Sequence, residues 1–164
     1  MISTDDLLWY VDQALDGMVA IVTDLGDDVA NRRPDLPGAN SPYAILFHCL
    51  GVMRWWGGEV IAGRPVERDR DAEFRASGPV AELAVRAAGA RRQLAKDLAT
   101  LSPQDPPRGA VDAEGAATPL GRTQGGVAIH VYEELAQHYG QMQLTRDVLR
   151  AASAGGASPS AAST

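Results

Sequence analysis

The chain has 164 residues, 45% hydrophobic and 22% charged, with a formal net charge of −6; this is the composition of one globular domain and argues against a disordered polymer. The acidic balance and scattered arginines argue against a surface that neutralises nucleic-acid phosphates or anionic lipid. Its one cysteine, Cys49, excludes an intrachain disulfide. Met1 to Asp6 lack the basic flank and apolar run of a secretory leader, and no stretch nears the roughly 20 apolar residues of a membrane span, so a cytoplasmic protein is expected.

Four helices are predicted. The first opens at Ser3 or Thr4, with Asp5 and Asp6 placed to complement the helix dipole. Leu7, Leu8, Val11, Leu15, Met18, Val19 and Val22 recur at three- and four-residue steps, giving an amphipathic face, and Gly26 is the expected stop. Asn31 to Asn40 hold two prolines and a glycine and read as a loop. Ser41-Pro42 is an N-cap followed by proline at the first helical position, so a second helix is predicted to run to about Ala62, where Gly63 and Pro65 end it.

A charged loop is expected from Arg64 to Arg75. Ser77-Gly78-Pro79 starts a third helix marked by Val80, Leu83, Ala84, Ala87, Leu94, Leu98 and Leu101. Residues 102–122 are rich in proline and glycine and predict a long irregular connection, of the kind that usually carries function. The fourth helix is predicted from Thr123 to Leu149 or Arg150. Residues 151–164 are Ala, Ser and Gly with one proline and are expected to be a disordered tail behind a domain of residues 1–150. An all-α four-helix bundle with long crossover loops is the simplest assembly.

The chemistry concentrates on the second and fourth helices, which carry all three histidines of the chain. At 100° per residue, His130, Glu134 and His138 share an arc of roughly 80° with Val127, Val131, Met142 and Leu149 nearby, so the stripe is expected to face a dry core. An unpaired carboxylate there costs several kcal/mol. His48 lies on a matching apolar face with Ile45, Val52 and Trp55. One carboxylate and two imidazoles converging from two helices suit a divalent cation, zinc foremost, then nickel, iron or manganese. Three protein ligands leave coordination positions open, as catalysis requires.

The competing readings are plain ones: Glu134 and His138 as a solvated i,i+4 pair, and His48 as a hydrogen-bonded core histidine. His130 is a candidate fourth ligand, supporting group, proton-transfer base or ordinary helix-face residue. Cys49 points about 100° from His48 and reads as a core residue. Val52 and Trp55 are candidate walls of a substrate pocket, with Trp56 beside them.

Three stretches resemble the DinB-like superfamily, closest to its actinobacterial branch related to the metal-binding domain of mycothiol-dependent maleylpyruvate isomerase. They are Leu46-Phe47-His48-Cys49-Leu50-Gly51-Val52-Met53-Arg54-Trp55-Trp56, the loop from Ala62-Gly63-Arg64-Pro65 through Glu73-Phe74, and His130-Val131-Tyr132-Glu133-Glu134-Leu135-Ala136-Gln137-His138-Tyr139-Gly140-Gln141. The resemblance implies an up-down-down-up bundle and a metal triad of His48, Glu134 and His138. It further implies a low-molecular-weight thiol cosubstrate of the mycothiol type, an electrophilic partner and, since related bundles often pair, a homodimer. At this length no room is expected for the isomerase's additional C-terminal domain, so thiol S-transfer is the expected activity. A non-catalytic stress-related metal- or ligand-binding protein and a metal-dependent hydrolase using His130 as base are the alternatives.

Overall fold

The computed structural model describes residues 3–155. Helix α1 spans Thr4–Ala30, capped by Ser3, whose hydroxyl accepts from the Asp6 N–H at 3.0 Å. Gly26 does break it, with φ 67 and ψ 174, but the chain resumes a helical path to Ala30 beyond the kink. The buried residues Val11, Leu15, Met18 and Val22 follow the predicted spacing, and each fully buried apolar side chain contributes about 1.5–3 kcal/mol.

The second long element departs from expectation. It begins as predicted, with the Ser41 hydroxyl accepting from Ala44 N–H at 3.2 Å, and is α-helical over Pro42–Val52 (α2). From Met53 to Ile61 it widens into a π-helix. Ala62 N–H donates to Gly57 C=O at 3.0 Å, five residues back. Gly57 and Gly58 let Leu94 and the Arg64 guanidinium approach this segment closely, since a Cβ at either position would collide with them. The Val60 carbonyl of this segment accepts instead from the backbone N–H groups of Arg108 and Gly109, at 2.8 and 3.2 Å. The 102–122 connection is therefore strapped over the end of the π segment.

The expected charged loop contains a short helix α3, Arg70–Glu73, capped by Asp69. Helix α4 spans Val80–Leu98, three residues short of the predicted end. Its first N–H, on Val80, is satisfied by the Asp27 carboxylate of α1 at 2.8 Å. Within residues 102–122 lie two further helical turns, α5 (Ala113–Ala116) and α6 (Pro119–Arg122). Helix α7 runs from Gln124 to Gly155, beyond the predicted end at Leu149 or Arg150. Of the expected tail, residues 156–164 lie outside the described residues.

Residue pairs between elements fix their directions. Along α1 and α7 the matches Tyr10–Tyr132, Gly17–Tyr139 and Asp24–Arg150 advance together, so these helices are parallel. Asp27 with Val80 and Asp12 with Arg91 run oppositely, so α1 and α4 are antiparallel. His48 with His138 and Trp56 with His130 make the second element antiparallel to α7. Phe47 with Arg86 and Gly57 with Leu94 make it parallel to α4. The order is up-down-down-up around one core, with α4 and α7 on the diagonal. No helix among the described residues is long and apolar enough to cross a membrane.

Candidate metal centre

Helix α2 packs against α1, α3, α4 and α7 and is buried nearly all round rather than on one stripe. His48 is consequently 2% exposed. Its ring lies against Phe74, centroids 4.4 Å apart, and its Nδ1 is 2.8 Å from Glu73 Oε2. Glu73, itself 5% exposed, is gripped by Arg68, whose Nε and Nη2 donate to its two oxygens at 2.8 and 2.9 Å. Gly51, one turn beyond His48, makes the room: a Cβ there would overlap the Glu73 carboxylate.

Burial pushes the His48 pKa down, but the neighbouring carboxylates of Glu134 and Glu73 outweigh that and leave it raised. Burial likewise pushes Glu73 up, yet the partners His48 and Arg68 leave it lowered. With Glu73 accepting the Nδ1 proton, the Nε2 lone pair faces Glu134 Oε2, 3.8 Å away.

On α7, residues 134 and 138 lie one turn apart, which brings His138 Nε2 within 3.3 Å of the same Glu134 oxygen. His138 Nδ1 is 2.8 Å from Gln141 Oε1, so it too donates from Nδ1 and turns an Nε2 lone pair inward. The His48 and His138 rings meet edge to face, 5.0 Å apart. One ligand atom from each of His48, Glu134 and His138 lies within 4.8 Å of the others. Three electron-pair donors aimed at one small volume repel one another unless a proton or cation sits among them. Where no cation is bound, a proton on His138 Nε2 first, and on His48 Nε2 second, holds Glu134 well below the usual carboxylate range, against the effect of burial. The donor set fits a divalent cation.

The solvent relation differs from the sequence reading. Val127, Val131 and Met142 are buried as expected, but the Glu134 side chain is 29% exposed and His138 is also half-buried. Because α4 lies diagonally across the bundle, no long helix closes over this stripe. The carboxylate reaches past its apolar neighbours into a cleft.

That cleft is a cavity of about 390 Å³ lined by His48, Val52, Trp55, Trp56, His130 and Glu134, with Arg68, Arg70 and Ala110 to Asp112 completing its wall. A neighbouring space of about 680 Å³ shares Trp56, Arg70, Asp112, His130 and Glu134 and extends to Pro119. Val52 and Trp55 thus both reach the cavity. His130 stands beside the trio: its Nε2 is 3.5 Å from the other Glu134 oxygen, its Nδ1 3.1 Å from Glu133, and its ring edge-on to Trp56. Cys49 is fully buried, and burial pushes its thiol pKa up. A cavity of about 520 Å³ behind the Arg68–Glu73 pair, between α2 and α4, contains none of the convergent trio.

Arg68, Arg70, Glu73 and Asp112 were not singled out from the sequence, where they read as solvated loop charges. The usable signal was the Asp69 cap and the return of the chain at Glu73-Phe74, inside one of the stretches that carry the family likeness. Residues 6–151 match the family model described as mycothiol-S-transferase. A comparison with curated proteins finds no match.

Proposed function

The chain belongs to the mycothiol-S-transferase family, and we propose on that premise that it joins a small thiol of the mycothiol type to an electrophile at a divalent cation, zinc foremost, held by His48, Glu134 and His138. The observation that carries this reading is the convergence of those three ligand atoms within 4.8 Å at the edge of a cavity. A bound cation there would hold the sulfur as a thiolate at neutral pH, the reactive form of a thiol.

The chain's own groups would do the rest. His130, hydrogen-bonded through Nδ1 to Glu133, offers Nε2 to the cavity as acceptor of the thiol proton. Val52, Trp55 and Trp56 supply apolar wall that keeps competing water from the electrophile. The sulfur lone pair forms the new S–C bond. In a substitution the electrophile's leaving group departs with its bonding pair; in an addition the carbon that gains the pair recovers the proton from His130.

The test is elemental analysis of the purified protein beside His138→Ala, followed by thiol titration of the cobalt-loaded form. One equivalent of metal in the wild type, less than about a tenth of that in the variant, and a thiol-dependent change in the cobalt spectrum support the reading. Metal without any thiol response favours a binding protein, and hydrolysis of an ester panel that is lost in His130→Ala favours a hydrolase.

A further inference from the structure

We infer that Glu73, fastened by Arg68, is a positioning residue that selects the ring tautomer and orientation of His48. The metal consequence rests on the function proposed above; the tautomer consequence stands on geometry alone.

Two carboxylates compete for the single ring proton of a neutral His48. Glu134 draws it to Nε2, across 3.8 Å, and Glu73 draws it to Nδ1, across 2.8 Å. The shorter distance lies within hydrogen-bonding range and the longer does not, so the proton belongs on Nδ1. A ring with its proton on Nε2 would point an N–H at Glu134 and have no lone pair to offer there.

Three contacts fix the ring: Glu73 at one edge, Phe74 on one face and His138 near the other edge. Water cannot replace Glu73 readily, since both side chains are almost fully buried. Glu73 Oε1 meets Arg68 Nε, and Oε2 is shared by Arg68 Nη2 and His48 Nδ1. A loop anchor alone needs only the arginine pair. The carboxylate is instead seated against α2 in the space that a side chain at residue 51 would fill, and it ends on the histidine. A carboxylate behind a ligating imidazole of this kind is typically worth 10–100-fold in metal affinity.

The experiment has two arms. In the metal-free protein, at a pH where the rings are neutral, long-range proton–nitrogen NMR reads the His48 tautomer. The expected result is Nδ1–H in the wild type and a shift toward Nε2–H in Glu73→Ala. In the second arm zinc affinity is measured by chelator competition for wild type, Glu73→Gln and Arg68→Lys. Losses of about 10–100-fold and a smaller loss, respectively, are expected, with circular dichroism confirming the fold. An unchanged tautomer in Glu73→Ala, or zinc affinity within about twofold of wild type in folded Glu73→Gln, overturns the inference. If the wild type takes up no zinc, the proposed function fails instead and the tautomer arm alone decides on Glu73; if Glu73→Ala does not fold, Arg68→Lys provides the tautomer comparison.

Discussion

Two glycines on the bundle's helices offer a direct test of how closely the chain is fitted around Glu73. Gly51 on α2 and Gly140 on α7 are both half-buried helical positions. Replacing glycine with alanine inside a helix is worth about 0.5–1 kcal/mol through backbone entropy alone. At Gly140 nothing lies within 4 Å of the added methyl. Gly140→Ala should therefore stabilise by about that amount, raising Tm by about 1–4 °C in a domain of this size.

At Gly51 the same gain meets a collision with the Glu73 carboxylate. If the carboxylate withdraws, it loses hydrogen bonds from His48 and Arg68, each worth about 1.5–3 kcal/mol for a charged group. With one bond lost to each partner, Gly51→Ala should therefore be less stable than wild type by about 2–5 kcal/mol after the helical gain, and bind zinc more weakly. Urea unfolding followed by circular dichroism measures both variants. A double-mutant cycle locates the cause: in a Glu73→Ala background Gly51→Ala should lose its cost and behave like Gly140→Ala. Equal stabilisation by both alanines in the wild-type background, or a Gly51→Ala penalty that persists without Glu73, would refute the reasoning.

Two further outcomes follow from the site's electrostatics. The raised His48 pKa means that its contribution to metal-free stability is fully present below its ordinary value of 6.5 and fades as pH rises through the raised folded value. Zinc must displace that proton, so the gain in Tm from zinc over chelator should grow as pH is raised through the same range, and a gain that shrinks with pH would contradict the assignment of His48 as a ligand. Cys49, buried and with its thiol pKa pushed up, should resist alkylation in the native protein at pH 8 and react quickly in urea; rapid native labelling would move it out of the core.

The parts of this molecule legible in the sequence are those whose physics is local. Ser3 and Ser41 cap helices where their positions suggested, and the three- and four-residue recurrence of Val11, Leu15, Met18 and Val22 marks the core face of α1. The convergence of His48, Glu134 and His138 was legible because ionisable residues on apolar faces are anomalous wherever they occur. The π segment was not legible. Its surroundings, with Gly57 packed under Leu94 of α4 and the Val60 carbonyl paired to Arg108 and Gly109, come from residues distant along the chain. Glu73 was hidden for the same reason: a charged residue in a charged segment looks solvated until Gly51 is seen to leave a space that it fills.

The division between legible and hidden residues also divides the site by role. The convergent trio projects from long helices whose positions are set by the core, which gives the rigidity that a metal site requires. Beyond His130 on α7, the polar groups around it come from connections: Arg68, Arg70 and Glu73 from the one between the second long element and α4, and Asp112 from the one between α4 and α7. The connection between α4 and α7 is tied down at the Val60 carbonyl, which lies in the helix's last turn and accepts from the N–H groups of Arg108 and Gly109. The Arg108 side chain adds bonds to the Ile61 carbonyl and to Thr100. The pairing of the Val60 carbonyl with Arg108 and Gly109 anchors the segment that continues into Ala110, Val111 and Asp112 of the cavity wall. Any helix ending at Ile61 leaves its last four carbonyls without an intrahelical N–H ahead of them, so residues 108–109 are anchored on an acceptor that the helix end itself supplies.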